Sequence, residues 1–500
     1  MVSSETQLAR GSHVSITKPP VELLPNPALL IGDQRVDDSS GGAFGHVYGA
    51  TGKGTAEVTL AGAREIDLAV QAARSALPAW RATPPDQRRE LLLRAAALLR
   101  EHSDELVGIS QVDNSMPVFA AAGGPAVAAD AFSYYAGWAD KLTGDVVPTW
   151  PTPSLDYVTH NPYGVVGIII PWNGPIYAVG MTVAPALAAG NCVLLKPPEL
   201  APFSAIRIGE LFLEAGFPPG VLNVVAAGPE GGNAMVAHPG IDKIHFTGSG
   251  ATAKRILDTA KDVLKPVGLE LGGKSANLIF ADADLSSAAM QAVLGMQGSG
   301  QGCINGTRVL VERPVYEEVL TLIQGILGGL EVGDPLVAST FFGPVINAVA
   351  ADRIMGVIDT AKRGDARLVA GGERLGGELA DGYFVSPTVF ADVDNSSPLA
   401  REEIFGPVVA VMPFDTEEEA VRIANDSPYG LAAYVQTSNL KRAHTVAQQL
   451  EVGLVWVNGF LGIPTSVPFG GAKQSGWGRL GGFDGIREFT QPKNVFVNLM

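Results

Sequence analysis

The sequence predicts an α/β fold built on parallel sheets, and three observations carry that prediction. Apolar runs at 165–170, 193–195, 222–225 and 243–246 alternate with helical patterns near 176–188, 203–215, 230–237 and 250–264. Strands alternating with helices imply right-handed βαβ units and parallel pairing. The stretch 275–415 repeats this α/β character. Finally, the chain has 500 residues, 46% hydrophobic and 17% charged, enough for about three domains of roughly 150 residues and a large core without covalent staples.

Taken in order, residues 1–25 hold no apolar run of signal-peptide length and read as a tail or loose arm. Residues 65–80 and 84–102 read as helices. The second opens on Thr83-Pro84-Pro85-Asp86, with Thr83 expected as N-cap and proline in the first turn. Its Leu91, Leu92, Ala95, Leu98 and Leu99 recur at helical spacing. From 145 to 160, Val146, Val147, Trp150, Leu155, Tyr157 and Val158 are punctuated by three prolines, as in extended chain or a hairpin inserted between helices. Parallel sheets bind ligands at the carboxyl ends of their strands. The informative loops of the alternating region are therefore Pro171-Trp172-Asn173, Lys196-Pro197-Pro198-Glu199 and Thr247-Gly248-Ser249. The chain closes on Val495, Phe496, Val497 and Leu499, a strand-like run whose apolar edge is expected to pair.

Charge and cysteine usage exclude several function classes. Fifty-one acidic against thirty-five basic residues give a net charge of −16, which argues against nucleic acid and against anionic membrane surfaces. No run of about 18 apolar residues suits a membrane span. Two cysteines, Cys192 and Cys303, cannot make a disulfide framework and lie too far apart for a zinc-ligand pair, so no metal site is expected. A reduced compartment, the cytoplasm, is the default.

Two motifs bear on chemistry. Gly268-Leu-Glu-Leu-Gly-Gly273-Lys274-Ser275 fits the phosphate-loop pattern G-x4-G-K-[ST]. That mechanism needs a helix after the loop to cradle phosphates. Here Ala276-Asn277-Leu278-Ile279-Phe280 reads as a strand, and Glu270 sets a carboxylate where phosphates would sit. Lys274 reads instead as a turn lysine supporting backbone. The run Gly298-Ser-Gly-Gln-Gly-Cys303-Ile-Asn-Gly-Thr-Arg308 sets a cysteine among glycines, which permit close backbone approach to a ligand. A buried structural cysteine is the alternative there, and Cys192, in an apolar strand, reads as filler.

Together the segments resemble the aldehyde dehydrogenase superfamily. The resemblance rests on Pro171-Trp172-Asn173, Leu269-Glu270-Leu271-Gly272-Gly273, the Gly-Gln-Gly-Cys303 run and Glu402-Glu403-Ile404-Phe405-Gly406-Pro407. It also rests on Pro468-Phe469-Gly470-Gly471-x-Lys473-x-Ser475-Gly476 and Tyr134-Tyr135-Ala-Gly-Trp138-Ala-Asp-Lys141. These run in family order and spacing from about residue 40 to the C-terminus.

The resemblance implies a Rossmann-like NAD-binding domain (26–144 and 162–271), an α/β catalytic domain (272–474) and a small β oligomerisation arm (145–161 and 485–500). The arm and the C-terminal strand would pair between subunits of a homodimer or homotetramer. The implied chemistry is aldehyde oxidation of the hydrolytic, non-acylating type. Cys303 is the nucleophile, the Asn173 amide and the Cys303 backbone N–H hold the oxyanion, and Glu270 activates water to release the acid. A free thiol is only a few per cent thiolate at neutral pH, so the site is expected to favour the Cys303 anion. Leucines flanking Glu270 are expected to raise its pKa by desolvation.

For the cofactor, the resemblance assigns Ile169, Pro171, Trp172, Lys196, Glu199, Thr247, Gly248, Ser249, Leu271, Glu403 and Phe405. Lys196 and Glu199 take the adenosine ribose, where a carboxylate repels a 2′-phosphate and favours NAD over NADP. Gly248 and Ser249 meet the pyrophosphate, and Glu403 and Phe405 the nicotinamide ribose and ring. The substrate pocket draws on Gly174, Tyr177, Met181, Ile304, Leu461, Ile463 and Phe469, with Phe460 beside them. None is charged, so the expected substrate is a hydrophobic aldehyde, aliphatic or aromatic. Departures from the family are Ala253 for the last glycine of the phosphate turn, Gly174 for an aromatic residue, Thr182 for a lysine and Leu480 for a glutamate. The lysine–glutamate pair would relay the proton of Glu270, so another route, through water, is expected here. The competing readings are a phosphate-loop nucleotide hydrolase and a catalytically silent family scaffold.

Overall fold

The computed structural model describes residues 16–500 except Thr152 and Leu461. Of the expected tail, only the part from Ile16 falls within these residues, and it is docked: the Thr17 N–H donates to Asp334 Oδ2 at 2.6 Å.

The alternating region folds as the pattern predicts. Strand β1 (Val165–Ile169) leads to helix α1 (Pro175–Ala188), β2 (Cys192–Lys196) to α2 (Phe203–Glu214) and β3 (Leu222–Val224) to α3 (Pro229–Ala237). Then β4 (Lys243–Thr247) leads to α4 (Gly250–Ala260), and β5 (Val267–Glu270) follows. The five strands are parallel and stand in the order β3-β2-β1-β4-β5. Antiparallel strands Leu29–Ile31 and Gly476–Trp477 extend the two edges. Every residue of β1 and β2 is buried, as befits central parallel strands covered on both faces. The order reverses between β1 and β4, and such a switch point opens a crevice at the carboxyl ends of the strands.

After β5 the chain leaves this sheet. Residues 271–275 cross to β6 (Ala276–Ile279), in a second sheet with β7 (Arg308–Glu312), β8 (Thr388–Ala391), β9 (Val408–Phe414), β10 (Ala432–Gln436) and β11 (Leu454–Val457). These run parallel in the order β8-β9-β7-β6-β10-β11. Period-two alternation puts Val309 and Val311 of β7 in the core on one face and Leu310 in the core on the other. The crossing ends at β6 rather than a helix, so the phosphate-loop reading of Gly268–Ser275 fails. Arg308, fully buried, secures the crossing: its guanidinium donates to the carbonyls of Lys274, Ile423 and Ala424 at 2.7–2.9 Å.

One expectation here is corrected. Thr83 does not cap the helix Pro85–Glu101; Pro84 stands at that position with no side-chain bond. Thr83 ends the preceding helix Ala63–Ala82, and its hydroxyl donates to Ala79 O at 3.0 Å. The linker is so short that the threonine serves the helix it leaves. The inserted arm is extended, Val146–Val147 pairing antiparallel with Ser154–Pro162. The terminal strand Thr490–Asn498 pairs with Ser154–Pro162 inside the same chain, from Thr490 opposite Pro162 to Asn498 opposite Ser154. The apolar terminal strand thus has a partner strand within its own chain. Among the described residues, no helix is long and apolar enough to cross a membrane.

The contact between Gly476 and β5 is sterically demanding. Gly476 has φ +115°, and a Cβ there would stand 2.1 Å from Leu269 O. Gly476→Ala is therefore expected to lower unfolding free energy by at least about 2 kcal/mol. The denaturant midpoint reads this, and an unchanged midpoint would refute the stated packing.

Candidate active site

A cavity of about 830 Å³ opens between the two sheets at the carboxyl ends of β1, β2, β4 and β5. Each chain segment that lines it arrives for a topological reason. Ile169, Pro171, Trp172 and Asn173 follow β1, and Lys196 and Glu199 follow β2. Thr247, Gly248 and Ser249 follow β4, while Glu270 and Leu271 end β5. Cys303 comes from the loop before β7, and Glu403 and Phe405 from the turn before β9. The structure thus brings together every residue expected to be catalytic or cofactor-binding.

At one end, Lys196 is buried and its Nζ donates only to Pro197 O, at 3.3 Å. Burial lowers its pKa to about 8, with Glu199 pulling the other way. Ser249 caps α4, its Oγ accepting from the Thr252 N–H at 3.3 Å, so the positive end of a helix dipole borders the cavity. Ala253, buried one turn later, packs into the core without disturbing that cap.

At the other end, Glu403 Oε1 accepts from the Gly273 N–H at 2.9 Å. Burial lifts its carboxyl to about 7, opposed by that N–H, Lys274 and Arg353. A Cβ on Gly272 would stand 2.0 Å from Glu403 Oε2, so this approach needs glycine. Phe405, at φ +51°, sets its ring edge-to-face against Trp172 at 5.3 Å.

Glu270 is 4% exposed, and its Oε1 has no hydrogen-bond partner among the described residues. Burial raises its pKa to about 8, against the pull of Arg479, as the flanking leucines led one to expect. No relay backs it at the two departing positions. Thr182 is buried and donates to Ala178 O at 2.6 Å, and Leu480 exchanges backbone hydrogen bonds with Phe469. Asn173 Nδ2 donates to Gln301 O at 2.9 Å, leaving a second amide hydrogen.

The expected thiolate-favouring environment at Cys303 is not found. Burial first, then Glu270 and Glu403, push the thiol up, outweighing the N–H groups of Cys303 and Ile304 that face the sulfur. Both neighbouring acids oppose a second negative charge. Cys192, fully buried, is pushed up to about 12 by desolvation, which suits its role as strand filler.

The substrate-side residues fare differently. Leu461 lies outside the described residues, and none of Gly174, Tyr177, Met181, Ile304, Ile463 and Phe469 lines the cavity. Ile304 and Phe469 are buried core residues, against which Met181, Ile463 and Cys303 are half-buried. Gly174 stands at the start of α1, and Tyr177 Oη reaches Ala120 O at 3.5 Å. The described residues expected to form the substrate pocket therefore lie outside the lining of this cavity.

Sequence reading missed Arg255 and Arg353, which line the cavity. Arg353 sits on the helix Ala348–Lys362, within reach of the field of Glu403. Its only sequence signal is a lone cation in a helix outside every motif. Lys274 was also misjudged. Its side chain is buried, its Nζ has no hydrogen-bond partner among the described residues, and desolvation and Arg308 lower its pKa to about 7.

The sequence matches the family model described as "Aldehyde dehydrogenase family" over residues 36–495. An aldehyde dehydrogenase-like protein of Schizosaccharomyces pombe is 43% identical over 447 residues, covering 89% of this chain and 90% of that one. The NAD+ complex of an aldehyde dehydrogenase from Bacillus cereus superposes with a TM-score of 0.93 at 40% identity, covering 98% of this chain and 100% of that one. A cysteine-to-alanine mutant of indole-3-acetaldehyde dehydrogenase from P. syringae, in complex with NAD+ and IAA, gives 0.92 at 38% identity, covering 96% and 98%. With its motifs assembled in one cavity and a family match spanning nearly its whole length, the chain belongs to the aldehyde dehydrogenase family.

Proposed function

We propose that the protein oxidises a hydrophobic aldehyde to its carboxylic acid with NAD. The observation that carries this reading is the convergence of Cys303, Glu270 and Asn173 at one wall of the elongated cavity. NAD+ complexes among the similar structures support the choice of cofactor.

The donor set fits a dinucleotide. Lys196 and Glu199 offer an ammonium and a carboxylate to a ribose diol, and the α4 N-terminus offers N–H groups to a pyrophosphate. Glu403 and Phe405 offer an acceptor and a ring face at the end nearest Cys303. When bound, NAD supplies the hydride acceptor. Cys303 Sγ loses its proton to water and attacks the aldehyde carbon, and the developing oxyanion meets the free Asn173 amide hydrogen and the Cys303 N–H. The acyl group is then held as a thioester on Cys303. Glu270, as carboxylate, takes a proton from the water that hydrolyses it. With Thr182 and Leu480 in place of an ionisable pair, that proton leaves Glu270 through water. The Glu199 carboxylate would repel a 2′-phosphate, which favours NAD over NADP.

Three outcomes test this reading. With hexanal or benzaldehyde, NADH should form faster than NADPH, and Cys303→Ala should lower the rate by at least roughly 10³-fold; formation insensitive to the substitution would sink the nucleophile. The pH dependence has a definite sign. Glu270 is protonated below about 8 and acts as base only above it, so kcat should rise with pH through that value and Glu270→Gln should flatten the rise. A profile that falls over this range would contradict the assignment. Finally, hexanal and benzaldehyde should each exceed succinic semialdehyde in kcat/KM, because no cation is placed among the expected pocket residues; a strong preference for the semialdehyde would overturn the substrate class.

A further inference from the structure

The two donors proposed for the oxyanion stand on different chain segments, and a buried side chain grips the backbone beside each. Asn114, buried, donates from Nδ2 to the carbonyl of Trp172 at 3.1 Å, one residue before Asn173. Its Oδ1 accepts from Ser110 Oγ, which sets the orientation of the amide. Tyr434, also buried, donates from Oη to the carbonyl of Ile304 at 3.1 Å, one residue after Cys303. Its ring is stacked between Trp456, at 5.0 Å, and Phe460, at 5.3 Å. The bond from Asn173 Nδ2 to Gln301 O joins the two segments.

Both segments are anchored to other parts of the chain. The Asp113 carboxylate, next to Asn114, accepts from the Phe203 N–H, the Ser204 N–H and Ser204 Oγ at 2.9–3.1 Å. Ser115 holds φ +57° and accepts the Gly49 N–H on its Oγ at 2.9 Å. Before Cys303, Ser299 also holds φ +57° and donates to Gly343 O at 2.7 Å, while Gln301 Oε1 accepts the Ile346 N–H at 2.9 Å. Side chains rarely adopt such positive φ values unless the surroundings impose them. The void of about 10 Å³ where these segments meet behind Asn173 is the space of one water.

We propose that Asn114 and Tyr434 are positioning residues of the oxyanion site, Asn114 acting through Asn173 and Tyr434 through the Cys303 N–H. This rests on the proposed roles of Asn173 and Cys303. The test uses Asn114→Asp, which removes the donor, and Tyr434→Phe, which keeps the stacked ring, each alone and combined with Asn173→Ala. Two reactions are followed. One is NADH formation from benzaldehyde. The other is cofactor-free cleavage of p-nitrophenyl acetate: Cys303 Sγ bonds to the acyl carbon, the C–O bond breaks, p-nitrophenolate leaves, and water releases acetate from the cysteine.

Each single variant should lower kcat in both reactions by about tenfold, with KM for NAD within about twofold of wild type. In the Asn173→Ala background, Asn114→Asp should cost less than about twofold, because the group it positions is gone, whereas Tyr434→Phe should keep its full effect. For Asn114→Asp a general structural weakening would instead carry over undiminished, so a full loss in that background overturns the proposal; for Tyr434→Phe a loss accompanied by a raised KM for NAD overturns it, as do unchanged rates in the single variants. Should Asn114→Asp fail to fold, Asn114→Ala is read by the same cycle. Ester cleavage insensitive to Cys303→Ala also overturns it. Absence of NADH with every aldehyde, while the ester cycle behaves as described, defeats the dehydrogenase reading alone.

Discussion

A carboxylate buried without a protein partner is the constraint from which the site follows. Glu270 ends β5, the last parallel strand of the first sheet, and its Oε1 has no hydrogen-bond partner among the described residues. A charge in that position is costly, and the protein does not offset it with a nearby ion pair. It lets the proton stay on, which places the group where it can act as a base in mildly alkaline solution. Cys303 and Glu403 share the cavity, and both are held toward their neutral forms. Burial is the main cause for all three, and at Cys303 the two glutamates add to it. As the proposed nucleophile, Cys303 is thus a thiol whose activation would belong to the reacting state rather than to the resting one.

The crossing from β5 to β6 makes this arrangement possible. Five residues carry the chain from one sheet to the other, and each side of that bridge is fixed by a close approach. Gly476 lies over Leu269 O, Gly272 over the Glu403 carboxylate, and Gly273 over Cys303 O, where a Cβ would stand 2.5 Å away. The Ser475 hydroxyl donates to Gly272 O and accepts the Gly430 N–H. The cavity is consequently a seam between two separately packed cores, with its acid, its thiol and its ribose-side carboxylate contributed from both. Small distortions of the seam act on all three together.

The sequence was legible wherever local pattern and function coincide. Strands β1 to β4 and helices α1 to α4 follow from apolar periodicity, and the loops after β1, β2 and β4 follow from the rule that parallel sheets present ligands at their carboxyl ends. Legibility failed where a residue's role is set by distant neighbours. The state of the Cys303 thiol depends on Glu270 and Glu403, 33 and 100 residues away in sequence. Arg353 has no motif, because a helix face is chosen for the cavity only once both sheets are in place. Thr83 had two helices to serve, and backbone spacing decided which. Lys274 matched a motif in every position yet lacked the helix that gives the motif its meaning, and it became a buried cation between two sheets.

The net charge of −16 is reconciled with an anionic ligand by the same spatial reasoning. Exposed charges farther off than roughly 8–10 Å are screened at physiological ionic strength, so surface acids contribute little inside the cavity. What a phosphate would meet there is local: the α4 N-terminus, Lys196, and the guanidinium groups of Arg255 and Arg353 along the wall. Burial lowers the pKa of Lys196 to about 8, so it stays mostly charged at neutral pH, and an anion placed beside it would reinforce that charge. The positive field of the site is therefore local, and the acidity of the rest of the surface leaves it intact.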